Sequence, residues 1–168
     1  RKFFLNLTSN SISLALKQDQ ELKILDSFDP NEPAANEGLK KLFYLAKALN
    51  SYIPEIEINL PENLLKNETL ITNNPISKKE AIALINKRKV NDKNGIISLT
   101  TANIGTRATS ITYIQISLIN EVKEFVEKAG FTIKKFNIGK YSFLNKNSHK
   151  LMIPIYDILS QISPRKSP

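Results

Sequence analysis

Residues 3 to 16, FFLNLTSNSISLAL, commit the start of this chain to a β-hairpin. Phe3 to Leu7 is an apolar run with strand character. Ile12, Leu14 and Leu16 alternate with Ser11, Ser13, Ala15 and Lys17, which is the period of a half-buried strand. The Thr-Ser-Asn-Ser segment between them is built from side chains that bond their own backbone, so it reads as a turn. After another turn at Gln18–Gln20, Leu22 and Ile24 carry the pattern on toward Asp26 and Phe28. The chain therefore opens with a three-stranded antiparallel meander.

Asp29-Pro30-Asn31-Glu32-Pro33 stops the third strand and prepares a helix. From Ala34 to Asn50, Leu39, Leu42, Phe43, Leu45, Ala46 and Leu49 recur at helical spacing, and Gly38 weakens that helix without ending it. EIEINLP, 55–61, alternates as a strand that Pro61 closes, with Glu55 and Glu57 expected on its exposed face. A short strand follows around Thr69, Leu70 and Ile71. Ser77-x-x-Glu80 is a capping box, so a second helix begins there, with Ala81, Ile82, Leu84 and Ile85 on its apolar face. Ile96–Thr101 and Ser110–Ser117 read as strands around a turn that contains Gly105. A third helix is expected from Leu118 to Ala129, with Leu118, Val122, Phe125, Val126 and Ala129 as its stripe, Phe125 in the core, and Gly130 at its C-terminal cap. Phe131–Asn137 is the strand after it.

The expected fold class is α/β (α+β): a mixed sheet with a βββαβ core, an inserted βαββ unit, then αβ and an irregular C-terminal tail. The expected domains are an α/β domain over 1–138, with its insertion at about 66–117, and a basic linker, short apolar docking segment and disordered tail over 139–168.

Composition removes several function classes. The 168-residue chain has no Cys, which excludes disulfides and thiolate metal sites, and its one His, His149, cannot build a zinc site alone. No apolar run approaches the roughly 18 residues of a membrane helix, and no secretory signal is visible, so insertion into a membrane is not expected and a cytoplasmic location is. Residue 1 is Arg rather than Met, which points to a fragment or a processed chain.

The net charge of +8 is unevenly spread. Residues 1–60 carry 7 basic and 8 acidic side chains, and residues 61–168 carry 17 and 8. A basic second half calls for an acidic partner: nucleic acid, an anionic membrane surface or an acidic protein. The clusters are Lys78, Lys79, Lys87, Arg88, Lys89 and Lys93, then Lys134, Lys135, Lys140, Lys146 and Lys150. Lys far outnumbers Arg, whereas base-edge readout favours Arg, and only Tyr141 and Phe143 interleave with the basic residues as single-strand binders require.

The chain has no nucleophile elbow, no P-loop, no G-x-G-x-x-G and no cluster of metal ligands. The acidic pairs Glu55 with Glu57 and Glu124 with Glu127 read as solvated carboxylates, and His149 has no evident orienting partner.

The order of elements resembles the N-terminal actin-like (ribonuclease H-like) half of bacterial assembly-platform proteins. These are the type IV pilus assembly protein M and the cytoplasmic domain of type II secretion protein L. The features that carry the resemblance are INLPENLL at 58–65, PISKKEAIALI at 75–85 and INEVKEFVEKAGFTIKKFNI at 119–138, over roughly residues 3–138. In nucleotide-binding members of such folds the first hairpin carries an Asp that orders magnesium and a Gly that lets backbone N–H groups approach phosphate. Here those positions are Asn6 and Thr8, followed by Ser9 and Ser11, so the resemblance implies a degenerate phosphate hairpin kept for its fold, a pseudo-ATPase with no cofactor, no metal and no catalytic residue.

What the resemblance implies for function is a non-catalytic scaffold or adaptor that mediates protein–protein assembly in a larger bacterial complex, in the cytoplasm or at the inner face of a membrane complex. Protein partners are expected, with a homo-oligomer as a second option. The alternative is a basic nucleic-acid- or ribosome-associated binding module. The expected partner-binding segment is LMIPIYDIL and its flanks. A helix that starts near Pro154 aligns Ile155, Ile158, Leu159 and Ile162 on one face, and Lys146 and Lys150 precede it to steer an acidic surface.

Overall fold

The computed structural model describes residues 2–50, 55–88 and 94–145. Its elements run β1 (Lys2–Leu7), β2 (Ile12–Gln18), β3 (Glu21–Phe28), α1 (Ala35–Leu49), β4 (Glu55–Leu60), β5 (Lys66–Ile71), α2 (Lys78–Arg88), β6 (Ile96–Asn103), β7 (Ala108–Gln115), α3 (Ile116–Lys128), β8 (Thr132–Ile138) and β9 (Tyr141–Leu144), with one turn of 3₁₀ helix at Glu62–Leu64. The chain divides into two compact units, Arg1–Glu62 with Glu121–Asn145, and Asn63–Asn120.

The first unit is a mixed six-stranded sheet in the order β3-β2-β1-β4-β8-β9. The meander β1-β2-β3 is antiparallel, and β1, β4 and β8 are parallel neighbours at its centre. The β2–β3 turn needs only Asp19 and Gln20, both at positive φ (54° and 70°), the conformation whose twist matches a two-residue hairpin. Facing residues in the register share one side of the sheet. Phe3 and Leu5 lie opposite Leu16 and Leu14 on β2 and opposite Ile56 and Ile58 on β4, and Ile58 lies opposite Phe136. All of them are buried, as are Leu39, Leu42 and Ala46 of α1, so this side of the sheet is the core.

Two glycines mark close approaches in that unit. A Cβ on Gly38 would sit 2.7 Å from the Phe28 ring. A mid-helix Gly normally costs about 1 kcal/mol relative to Ala, yet here Gly38→Ala drives a methyl into the base of an aromatic ring. We expect the substitution to lower the thermal midpoint, and a rise would show that Phe28 can swing aside. Gly130, at φ +117°, lets the Phe43 ring come to where a Cβ would be 2.8 Å away. Phe43 then meets Phe131 edge to face, with centroids 5.3 Å apart.

The second unit is a three-stranded antiparallel sheet, β5-β7-β6, with α2 on one side. Leu70, Ala81, Ile85, Ile96, Ile111 and Tyr113 form its core. The capping box closes as the spacing predicts: Ser77 N–H donates to Glu80 Oε1 at 3.0 Å, and Glu80 N–H donates to Ser77 Oγ at 3.1 Å. Hydrogen bonding from the Ser77 backbone first, and then from its side chain, holds the Glu80 carboxyl below its ordinary value.

The structure departs from the sequence reading at three places. First, α3 starts at Ile116, and its buried positions are Ile116, Ile119, Lys123 and Val126, one step around the helix from the expected stripe. Phe125 is half-buried rather than core. Lys123 lies on the buried face, where burial pulls its ammonium below the ordinary lysine value and Glu127 opposes the shift. Second, Glu57 is buried, not exposed. Third, the sheet does not end at residue 138, because β9 adds an edge strand over residues expected to be linker.

Candidate functional site

In open α/β sheets, ligands bind at the carboxyl ends of the parallel strands. Here β1, β4 and β8 each end in the same three-residue pattern, apolar-Asn-apolar: Leu5-Asn6-Leu7, Ile58-Asn59-Leu60 and Phe136-Asn137-Ile138. The register sets Asn6 opposite Asn59 and Asn59 opposite Asn137. Ser13 and Ser142 extend the row onto β2 and β9, and Ser27 onto β3, so one polar residue per strand crosses the whole sheet.

The three amides are joined in a directed chain. Ser142 Oγ donates to Asn137 Oδ1 at 2.6 Å, Asn137 Nδ2 donates to Asn59 Oδ1 at 2.9 Å, and Asn59 Nδ2 donates to Asn6 Oδ1 at 2.6 Å. Asn137 Nδ2 also donates to Glu57 Oε1 at 3.0 Å. Glu57 is the buried acid of this face. Lys2 Nζ and Lys135 Nζ lie 3.7 Å and 3.9 Å from its two oxygens. A buried carboxylate needs such partners, and this one is surrounded by donors rather than held ready for a ligand.

The first turn is equally closed on itself. Thr8 N–H donates to the Ser11 carbonyl at 2.9 Å, and Thr8 Oγ1 donates to the same oxygen at 3.2 Å. Asn10 N–H donates back to Thr8 Oγ1 at 3.3 Å, and Asn31 Nδ2 reaches the Ser9 carbonyl at 3.0 Å. Ser11 and Ser13 share a hydroxyl bond of 3.2 Å. Two backbone donors that would face a phosphate, those of Thr8 and Asn10, are thus spent inside the turn.

A magnesium-bound phosphate needs carboxylates or waters around the metal and open N–H groups around the phosphate. These residues do not fit it: the Asn6, Asn59 and Asn137 side-chain oxygens are neutral and each already accepts a hydrogen bond. Among the described residues no group of three or more acidic or His side chains is placed to hold a metal ion. The same residues also contain no helix long and apolar enough to cross a membrane.

Of the sequence-derived site, the structure brings Asn6, Thr8, Ser9 and Ser11 together at one end of β1 and β2. Ile155, Ile158, Leu159, Ile162, Lys146, Lys150 and His149 lie outside the described residues, as do Lys89 and Lys93. Phe143, one of the two aromatics available for base stacking, lies against Phe136 instead, with centroids 5.4 Å apart and the rings 19° from parallel. Lys140 Nζ lies 5.5 Å from the centroid of the other, Tyr141. Sequence reading missed Asn59 and Asn137. Their signal was the repeated apolar-Asn-apolar strand ending.

No family profile matches the sequence, and no curated protein matches it either. Solved structures do. The cytoplasmic domain of EpsL, an inner membrane component of the type II secretion system of Vibrio cholerae, is similar at 10% identity with a TM-score of 0.49, over 81% of this chain and 56% of that one. A PilM–PilN type IV pilus biogenesis complex is similar at 10% identity and 0.47, over 82% and 47%. A Bacteroides thetaiotaomicron protein with an actin-like ATPase fold and unknown function is similar at 13% identity and 0.41, over 81% and 51%. The chain spans about half the length of each.

Proposed function

We propose that this chain is a non-catalytic scaffold or adaptor module that takes part in protein–protein assembly within a larger bacterial complex. The observation that supports this most is the amide chain Asn6–Asn59–Asn137. It puts satisfied neutral side chains at the strand ends where an actin-like nucleotide site needs a carboxylate, and the turn beside it bonds its own donors. What remains for the unit to offer is surface. Leu22 and Ile24, 53% and 58% exposed, stand on β3, and Leu144 stands on β9, and these strands are the two edges of the sheet. Exposed apolar side chains on unpaired edges are where a partner strand or helix can add.

The test is calorimetry with magnesium and ATP. We expect no heat of binding at micromolar protein, and none from Asn6→Asp, because the Thr8 and Asn10 N–H groups stay bonded inside the turn. Magnesium-dependent binding at micromolar affinity, lost in Asn6→Ala, would overturn the reading.

A further inference from the structure

We propose that one end of the three-stranded unit is a contact surface for anionic lipid headgroups, a role beyond the scaffold reading and independent of it. Ile71 closes β5 directly opposite Ala108, the first residue of β7. On the other side of β7, Ile104 follows the last residue of β6, and its N–H donates to the Ala108 carbonyl at 2.8 Å. Ile71, Ala108 and Ile104 therefore form one row, about 10 Å wide at the usual strand spacing. The row lies on the side of the sheet away from α2, because Leu70, the neighbour of Ile71, points into the α2 core. Ile71 is 72% exposed and Ile104 59%, the most exposed isoleucines among the described residues.

Cations lie at the same end of the unit. Arg107 is exposed in the β6–β7 turn, and its carbonyl accepts the Thr72 N–H at 2.8 Å. That bond ties the loop that leads into α2 to the hairpin, so the exposed Lys78 and Lys79 at the start of α2 come to the same end. Glu80, the acid of this end, has its carboxylate bonded to the Ser77 N–H. The result is one end of the unit with two exposed isoleucines and exposed positive charge.

Charge and shape both select the occupant. Cations at a surface are drawn to anionic lipid, and exposed isoleucines beside them can enter the acyl boundary beneath the headgroups without spanning it. A protein partner would have to offer a deep apolar pocket to a tip with no aromatic anchor, and aromatic anchors are prominent at protein interfaces.

The experiment is flotation of the full chain with vesicles of phosphatidylcholine alone or with phosphatidylglycerol added. The expected result is binding to the anionic vesicles and a partition coefficient about tenfold or more lower for the neutral ones. Ile71→Asp with Ile104→Asp, and separately Lys79→Glu with Arg107→Glu, should each lower binding by about tenfold or more. All four side chains are exposed, so the thermal midpoint should hold, and it is read alongside. Three outcomes would overturn the proposal: no binding to anionic vesicles, binding unchanged in the isoleucine double variant, or equal binding to duplex DNA that the double variant leaves untouched, which would mean charge alone.

Discussion

Phe136→Ala is expected to cost about 3–5 kcal/mol of stability, the range for truncating a buried aromatic. Phe136 is fully buried on β8, faces Ile58 across the parallel pair, and stacks on Phe143 of the edge strand. Its removal leaves a void under three strands at once, and the strand backbones cannot close it without breaking their ladders. Phe125→Ala supplies the contrast. That ring is half-buried on α3, so its loss should cost clearly less. Urea unfolding followed by circular dichroism measures both. Equal losses for the two variants would show that the buried face of α3 is misplaced.

Much of the first unit was legible in the sequence because its strands are amphipathic and local. The alternation from Ile12 to Leu16, the turn before it and the helical spacing of Leu39, Leu42 and Ala46 each involve neighbours a few residues apart. The Ser77–Glu80 capping box was readable for the same reason. The α3 stripe was misplaced because Lys123 reads as a polar residue. Its four-carbon stem is apolar, and the helix buries it between Ile119 and Val126. Edge strand β9 was missed because four residues, Tyr-Ser-Phe-Leu, offer little periodicity among polar neighbours.

The amide row was missed for a different reason. Asn6, Asn59 and Asn137 are 53 and 78 residues apart, and each alone is an ordinary polar residue at a strand end. Only the parallel register makes them neighbours. The neutral side chain at Asn6 could be read from sequence, but not its partners. In the folded chain, a hydrogen-bonded amide ladder satisfies the polar side chains at three strand ends.

Tyr113 should prove the most sensitive of the described residues of the second unit, and its loss should show in alkali. It is fully buried on β7 within the cluster of Leu70, Ile85, Ile96 and Ile111. Its hydroxyl donates a short hydrogen bond to Glu68 Oε2, and Arg88 at the end of α2 lies 3.4 Å from the other Glu68 oxygen. Tyr113→Ala removes a buried ring and should cost about 3–5 kcal/mol. Tyr113→Phe keeps the ring and removes only the donor to a carboxylate, which should cost about 1.5–3 kcal/mol. Burial, and then the Glu68 hydrogen bond and charge, push the phenol well above its ordinary value. Its contribution to stability is therefore fully present below the unfolded value of about 10 and is lost as pH rises above it, because the unfolded chain can ionise there and the folded one resists. Equilibrium unfolding of parent and Tyr113→Phe between about pH 8 and pH 11, roughly two units below that value to one above it, separates the two effects. The gap between them should narrow at the alkaline end. A gap that stays constant to the top of the series would show that the Tyr113 hydroxyl titrates as an exposed phenol and that Glu68 does not hold it.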